Sequence, residues 1–179
     1  MSPILDARIG KAWHMAELRK LSWIAAAFLV ITCAVHSATA TEPPADLCSL
    51  LPAAEVSKTL GHAYDSPEKS VAPRPYPNTA SGTDCNYHTK DNQGSDLLFR
   101  AYVDPSPSAA ADLFARLKKF FGTPTPVAGL GDEAYFDVAH GLHVRKGKVR
   151  FYIRLDVNTL TPANEKQLKD LASRVAGQL

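Results

Sequence analysis

Apolar and polar positions alternate most clearly in two stretches of the chain. In residues 97–103, Leu97, Phe99, Ala101 and Val103 alternate with Leu98, Arg100 and Tyr102; in residues 149–157, Phe151, Ile153, Leu155 and Val157 alternate with Arg150, Tyr152, Arg154 and Asp156. A period of two puts each set on its own side of a β-strand. Residues 133–138 and 142–146 read as two further strands, with Ala139-His140-Gly141 and Gly147-Lys148 as the turns that flank the second. Residues 83–90 form a fifth, joined to 97–103 as a hairpin through residues 91–95.

Three segments repeat instead at helical spacing. Pro52 and Gly61 bracket a short helix whose buried stripe is Leu51, Val56 and Leu60. Ser108 is placed to cap a second helix with Ala110, Leu113, Phe114, Leu117, Phe120 and Phe121 on one side, ending at Gly122. Thr161-Pro162 opens a third, with Leu168, Leu171, Ala172 and Val175 inward. Residues 64–82, rich in Pro, Ser and Asn, read as an irregular loop, and residues 123–131 as a connector. The order α-β-β-α-β-β-β-α predicts an α+β domain. Its mostly antiparallel single sheet would carry the helices on one face and leave the other open, because each long strand has one apolar side.

The first 40 residues belong to a different pattern. Arg19 and Lys20 precede an apolar run over residues 21–35, and Ala38-Thr39-Ala40 supplies small residues where a signal peptidase cuts. The run is shorter than the about 20 residues a membrane-spanning helix needs. We therefore expect residues 1–40 to be a signal peptide, with Met15 a candidate true start, and residues 41–179 to be the exported, periplasmic or secreted domain. Two rivals are an uncleaved membrane anchor and a lipoprotein cut before Cys33. Val30-Ile31-Thr32 lacks the small residue such a lipidation site carries directly before the cysteine.

Removing the leader changes the charge and the cysteine count. It holds four of the 20 basic residues and two of the 18 acidic ones, so the rest balance and the formal charge of +2 belongs to the leader. That argues against nucleic acid as a partner. Cys48 and Cys85 remain as an even pair, expected to form a structural disulfide in an oxidising compartment. On the chain-entropy model such a bridge contributes about 4 kcal/mol. A redox-active pair would want Cys-x-x-Cys spacing.

The segments Cys48-Ser49-Leu50-Leu51-Pro52-Ala53-Ala54-Glu55-Val56 and Val127-Ala128-Gly129-Leu130-Gly131-Asp132-Glu133-Ala134-Tyr135, with Cys85 followed by Tyr87, carry a resemblance. The chain is similar to a family of small exported bacterial proteins that is common among actinobacterial lipoproteins and has no assigned function. The resemblance spans most of the exported domain and implies an exported α+β fold without implying any chemistry.

Candidate chemistry is sparse. Gly129-Leu130-Gly131-Asp132-Glu133 leads into a strand rather than the helix a phosphate cradle needs, so it reads as a structural turn. His140 and His143, with His62 and His88 elsewhere, fall short of a zinc ligand set and read as hairpin histidines. No Gly-x-Ser-x-Gly elbow occurs, and Asp132, Glu133 and Asp137 are the nearest cluster of acids. We expect no metal, no cofactor and no enzymatic activity. The candidate binding residues are Arg100, Tyr102, His143, Arg145, Arg150, Tyr152 and Arg154, all on the non-core side of their strands, with His88 nearby. Guanidinium groups beside phenol rings suit anionic or protein partners, and exposed arginines there would tolerate charge reversal. The leading expectation is a binding module for an envelope or extracellular protein or an anionic envelope component, including an inhibitor or immunity-type role. The alternative is an envelope hydrolase or small-molecule carrier with a pocket between residues 62–82 and the sheet.

Overall fold

The computed structural model describes residues 42–179; the expected signal peptide, residues 1–40, and its expected cleavage site lie outside the described residues. Seven strands form one sheet, each pairing antiparallel with its neighbours: β1 (Glu68–Ala72), β2 (Gly82–Tyr87), β3 (Leu97–Val103), β4 (Thr125–Pro126), β5 (Glu133–Phe136), β6 (Leu142–Lys146) and β7 (Val149–Leu155). Their spatial order is β1-β2-β3-β7-β6-β5-β4. Two meanders therefore meet at a central β3–β7 pair, where Phe99 lies opposite Ile153 and Arg100 opposite Tyr152. Those two strands carry the strongest alternation because both are flanked on each side and buried on one whole face.

The α+β class, the single antiparallel sheet and the disulfide expected from the sequence are all present. α1 (Ala53–Leu60) and α3 (Pro162–Ala176) pack over the apolar side, where Val56, Leu60, Leu168, Leu171, Ala172 and Val175 meet Phe99, Phe151, Ile153 and Leu142. Gly61 closes α1 in the left-handed region at φ 80°, and Thr161 caps α3 in a reciprocal bond with Asn164. Cys48, in a short 3₁₀ turn, is bridged to Cys85 on β2 with Cα atoms 5.8 Å apart. Tyr87 fixes the same corner by donating its hydroxyl to the Leu51 carbonyl. No helix of the described residues is long and apolar enough to cross a membrane.

α2 (Pro107–Phe120) departs from the expectation that all helices share one face. It lies across the opposite side of the sheet, with Phe114 edge-on to Tyr135 at 5.0 Å between ring centroids. The reason lies in the side chains there. Tyr135, His143 and Tyr152 stand directly opposite one another on β5, β6 and β7 and offer ring surface that a helix can bury. The helix starts two residues earlier than predicted: Ser106, not Ser108, accepts from the Ala109 amide, with Pro107 first in the helix. Ala110, Leu113 and Phe114 are buried, while Phe120 projects outward, 78% exposed.

Two strands went unread in the sequence. β1 lies inside the expected loop of residues 64–82; four of its five residues are exposed, so an edge strand wet on both sides leaves no alternation to detect. β4 is two residues long and contains Pro126, which only a sheet edge accommodates.

Candidate functional site

The face expected to be open is a cleft. The extended segment Pro73-Arg74-Pro75 covers one side of it, held by the Tyr102 hydroxyl donating to the Pro73 carbonyl at 2.7 Å. α2 and its C-cap cover another, with Phe114 and Leu117 from the helix and Phe121 from the cap. Between strap, helix and sheet lies a cavity of roughly 520 Å³, walled on the sheet side by Leu98, Arg100, Tyr102, Arg150, Tyr152 and Arg154 and at one end by Asp137, Ala139 and His143. Arg116 on α2 stacks over Tyr76 at 4.6 Å, tying the chain just beyond the strap to the helix.

The floor is a single cross-strand row. Asp84, Arg100, Tyr152, His143 and Tyr135 stand opposite one another along β2, β3, β7, β6 and β5. Arg100 binds Asp84 through Nε and Nη2 at 2.6 and 2.7 Å. His143 is buried, stacked on Tyr135 at 4.8 Å and packed against Tyr152 and Phe121. Gly141 is required beneath this row: a Cβ there would sit 2.0 Å from the Tyr152 ring.

His143 binds Asp137 at 2.8 Å, and the other carboxylate oxygen of Asp137 accepts from the amides of Ala139 and Gly141. Burial would raise the Asp137 pKa, but these bonds outweigh it and hold the carboxyl below its usual 3.8. Burial lowers the His143 pKa below 6.5 against the pull of Asp137, and the guanidiniums of Arg150 and Arg100 push the same way. The imidazole is thus kept neutral, a wall residue and not the solvated hairpin histidine expected.

Of the seven candidate residues, six line the cleft and Arg145 does not. Arg145 turns to Asp132 at 2.9 Å, where the Gly147 amide also donates. Gly129 and Gly131, at φ 73° and 61°, shape this structural turn. Arg150 is not exposed: it is buried and bound to buried Asp104 at 2.5 and 3.0 Å, with its guanidinium over the Tyr102 ring at 5.0 Å. Charge reversal at Arg150 would therefore set two buried carboxylates face to face, against the tolerance expected of an exposed arginine. Arg154 is half-buried and has no carboxylate partner among the described residues. His88 lies outside the cleft, bound to Asp96 at 2.8 Å, and His62 lines a separate hollow beside Tyr64 and Asn164.

The opposite wall is only partly legible in the sequence: a pocket under residues 62–82 is among the expectations and residues 73–75 cover this one, but the helical spacing of Leu117 and Phe121 does not say which side of the sheet they face, and no pattern marks Arg74. Among the described residues, no three His, Cys, Asp or Glu side chains converge as a metal site would require. Compared with known proteins, the chain matches no family model and no curated relative, so the resemblance to small exported bacterial proteins rests on its two short motifs.

Proposed function

We propose that this chain is an exported, non-enzymatic binding protein that holds a small anionic molecule in the cleft between the 73–75 strap, α2 and the sheet. One observation carries the reading. A cavity of drug-like size, walled by Phe114, Leu117, Phe121 and Tyr152, contains a half-buried guanidinium, Arg154, with no carboxylate partner among the described residues. Leaving such a charge half out of water without a counter-ion is unfavourable, and an anionic ligand relieves it. Export is supported by the disulfide, which persists in oxidising compartments.

A carrier role is better supported than a hydrolytic one. The lining contains no serine, threonine or cysteine, so no hydroxyl or thiol nucleophile of that kind stands beside His143 and Asp137. A broad protein-docking face is also less well supported, because α2 covers part of the sheet and Arg100, Arg145 and Arg150 are already bound to Asp84, Asp132 and Asp104. The test is native mass spectrometry of exported protein incubated with envelope extract, beside Ala139→Trp, which fills the mouth from an exposed position. A small-molecule adduct on the wild type that is absent from the variant supports the reading. An adduct of equal occupancy on both overturns it, as does recovery of only a protein partner.

A further inference from the structure

The charges around the cleft do not cancel. Four arginines line it, Arg74, Arg100, Arg150 and Arg154. Three carboxylates answer them: Asp84 and Asp104, bound to Arg100 and Arg150, and Asp137 in the wall beside a neutral His143. Arg100 and Arg150 are matched within those ion pairs; of the two arginines left, Arg74 is exposed to water on the strap and Arg154 is the one partly buried. A dianion would bring excess negative charge towards Asp137, and a cationic ligand would meet Arg154 and Arg100. A neutral ligand would leave the Arg154 charge unanswered.

Arg154 stands opposite Leu98 at one end of the floor and two residues from Tyr152 on the same face of β7. Arg74 lies on the exposed strap, next to the Pro73 that Tyr102 holds, at the other end of β3. From Arg154 to Arg150 is four strand residues, roughly 13 Å at the usual rise. Between those ends the surface is ring and methyl: Tyr152 on the sheet, Phe114, Leu117 and Phe121 on the helix. The guanidinium fork presents paired N–H donors that match a carboxylate.

Resting on the reading of the cleft as the binding site, we infer that its ligand is an organic monocarboxylate with an apolar body, its carboxylate on Arg154 and its body laid between Tyr152 and the Leu117–Phe121 side of α2. The body lies along the strand direction within that span, and Arg74 is not needed for it.

The experiment is calorimetric titration of the exported protein at two temperatures, so that burial of apolar surface gives a signal at one or both. The probes are octanoate and phenylpropanoate, with octanamide, octylamine and octyl phosphate as matched controls. Both carboxylates are expected to bind, octanamide at least about tenfold more weakly, and octylamine not at all. Octyl phosphate should bind no tighter than octanoate. Arg154→Gln should weaken octanoate about tenfold or more with an unchanged melting temperature, while Arg74→Gln changes it less than about threefold. Equal binding of octanamide, or indifference to Arg154→Gln, overturns the carboxylate assignment and leaves the cleft as the site. Tenfold tighter octyl phosphate overturns the single charge. Octanoate binding unaffected by Ala139→Trp places the ligand elsewhere and removes the cleft reading itself. No binding by any probe at millimolar concentration overturns this inference.

Discussion

Arg150→Met isolates a fully buried ion pair. The side chains of Arg150 and Asp104 are 3% and 0% exposed, and the guanidinium donates twice to the carboxylate. Met keeps the apolar stem of the arginine and removes both donors, leaving a carboxylate in an interior where an unpaired charge costs several kcal/mol. The variant has an escape, which is to take up a proton. From an ordinary aspartate value near 3.9, holding a carboxyl neutral at pH 7 costs about 4 kcal/mol at about 1.4 kcal/mol per pH unit. The loss of stability at pH 7 is therefore expected at about 3–4 kcal/mol, shrinking to about 1–2 kcal/mol at pH 5. Urea denaturation of wild type and variant at both pH values measures it. Adding Asp104→Asn to Arg150→Met should recover at least half the loss and abolish its pH dependence. A loss under about 1 kcal/mol at pH 7, or the same loss at both pH values, would refute the account of an obligatory buried pair.

Four other outcomes follow from the same structure. Native, unreduced protein should show no reactive thiol at Cys48 or Cys85 with a thiol reagent, and Cys48→Ser should lose about 2–5 kcal/mol in urea denaturation. Gly141→Ala should lose about 1–3 kcal/mol in the same assay, because the new methyl group meets the Tyr152 ring. His143 and Asp137 both have lowered folded-state pKa values, so the unfolded chain binds their protons more readily. Their stabilisation is complete above 6.5 for His143 and above 3.8 for Asp137, and is lost as the pH falls below each; thermal melts from pH 8 to 3 should show both declines, and His143→Gln should remove the first. N-terminal sequencing of exported protein should start at Thr41, whereas a lipid-modified Cys33 as first residue would contradict soluble export.

The central strands were legible because burial on one side writes a period of two into the sequence, and β3 and β7 show it cleanly. The same period misled on the other side. Tyr, His and Arg count as polar in an alternation, yet Tyr135, His143 and Tyr152 pack as a row of rings against one another and against Phe114 and Phe121, and Arg100 and Arg150 bind Asp84 and Asp104. The partners that neutralise them are distant in sequence, Arg150 and Asp104 being 46 residues apart, and no local pattern announces them. The stripe of α2 holds for Ala110, Leu113 and Phe114 but not for Phe120, and periodicity cannot say which side of a sheet receives it. Six of the seven candidate residues line one cleft, and a pocket under residues 62–82 was among the expectations; what the sequence could not show was that the last turns of α2 form the other wall.

The most direct test of the cleft as the binding site is a map of backbone amide shifts when octanoate is titrated into isotope-labelled exported protein. Saturable shifts are expected to concentrate at Leu98, Phe121, Ala139, Tyr152 and Arg154, around the cleft, with those of β1 and of α3 unmoved. Shifts gathered on the α1–α3 side of the sheet, or spread over the surface without saturation, would contradict it.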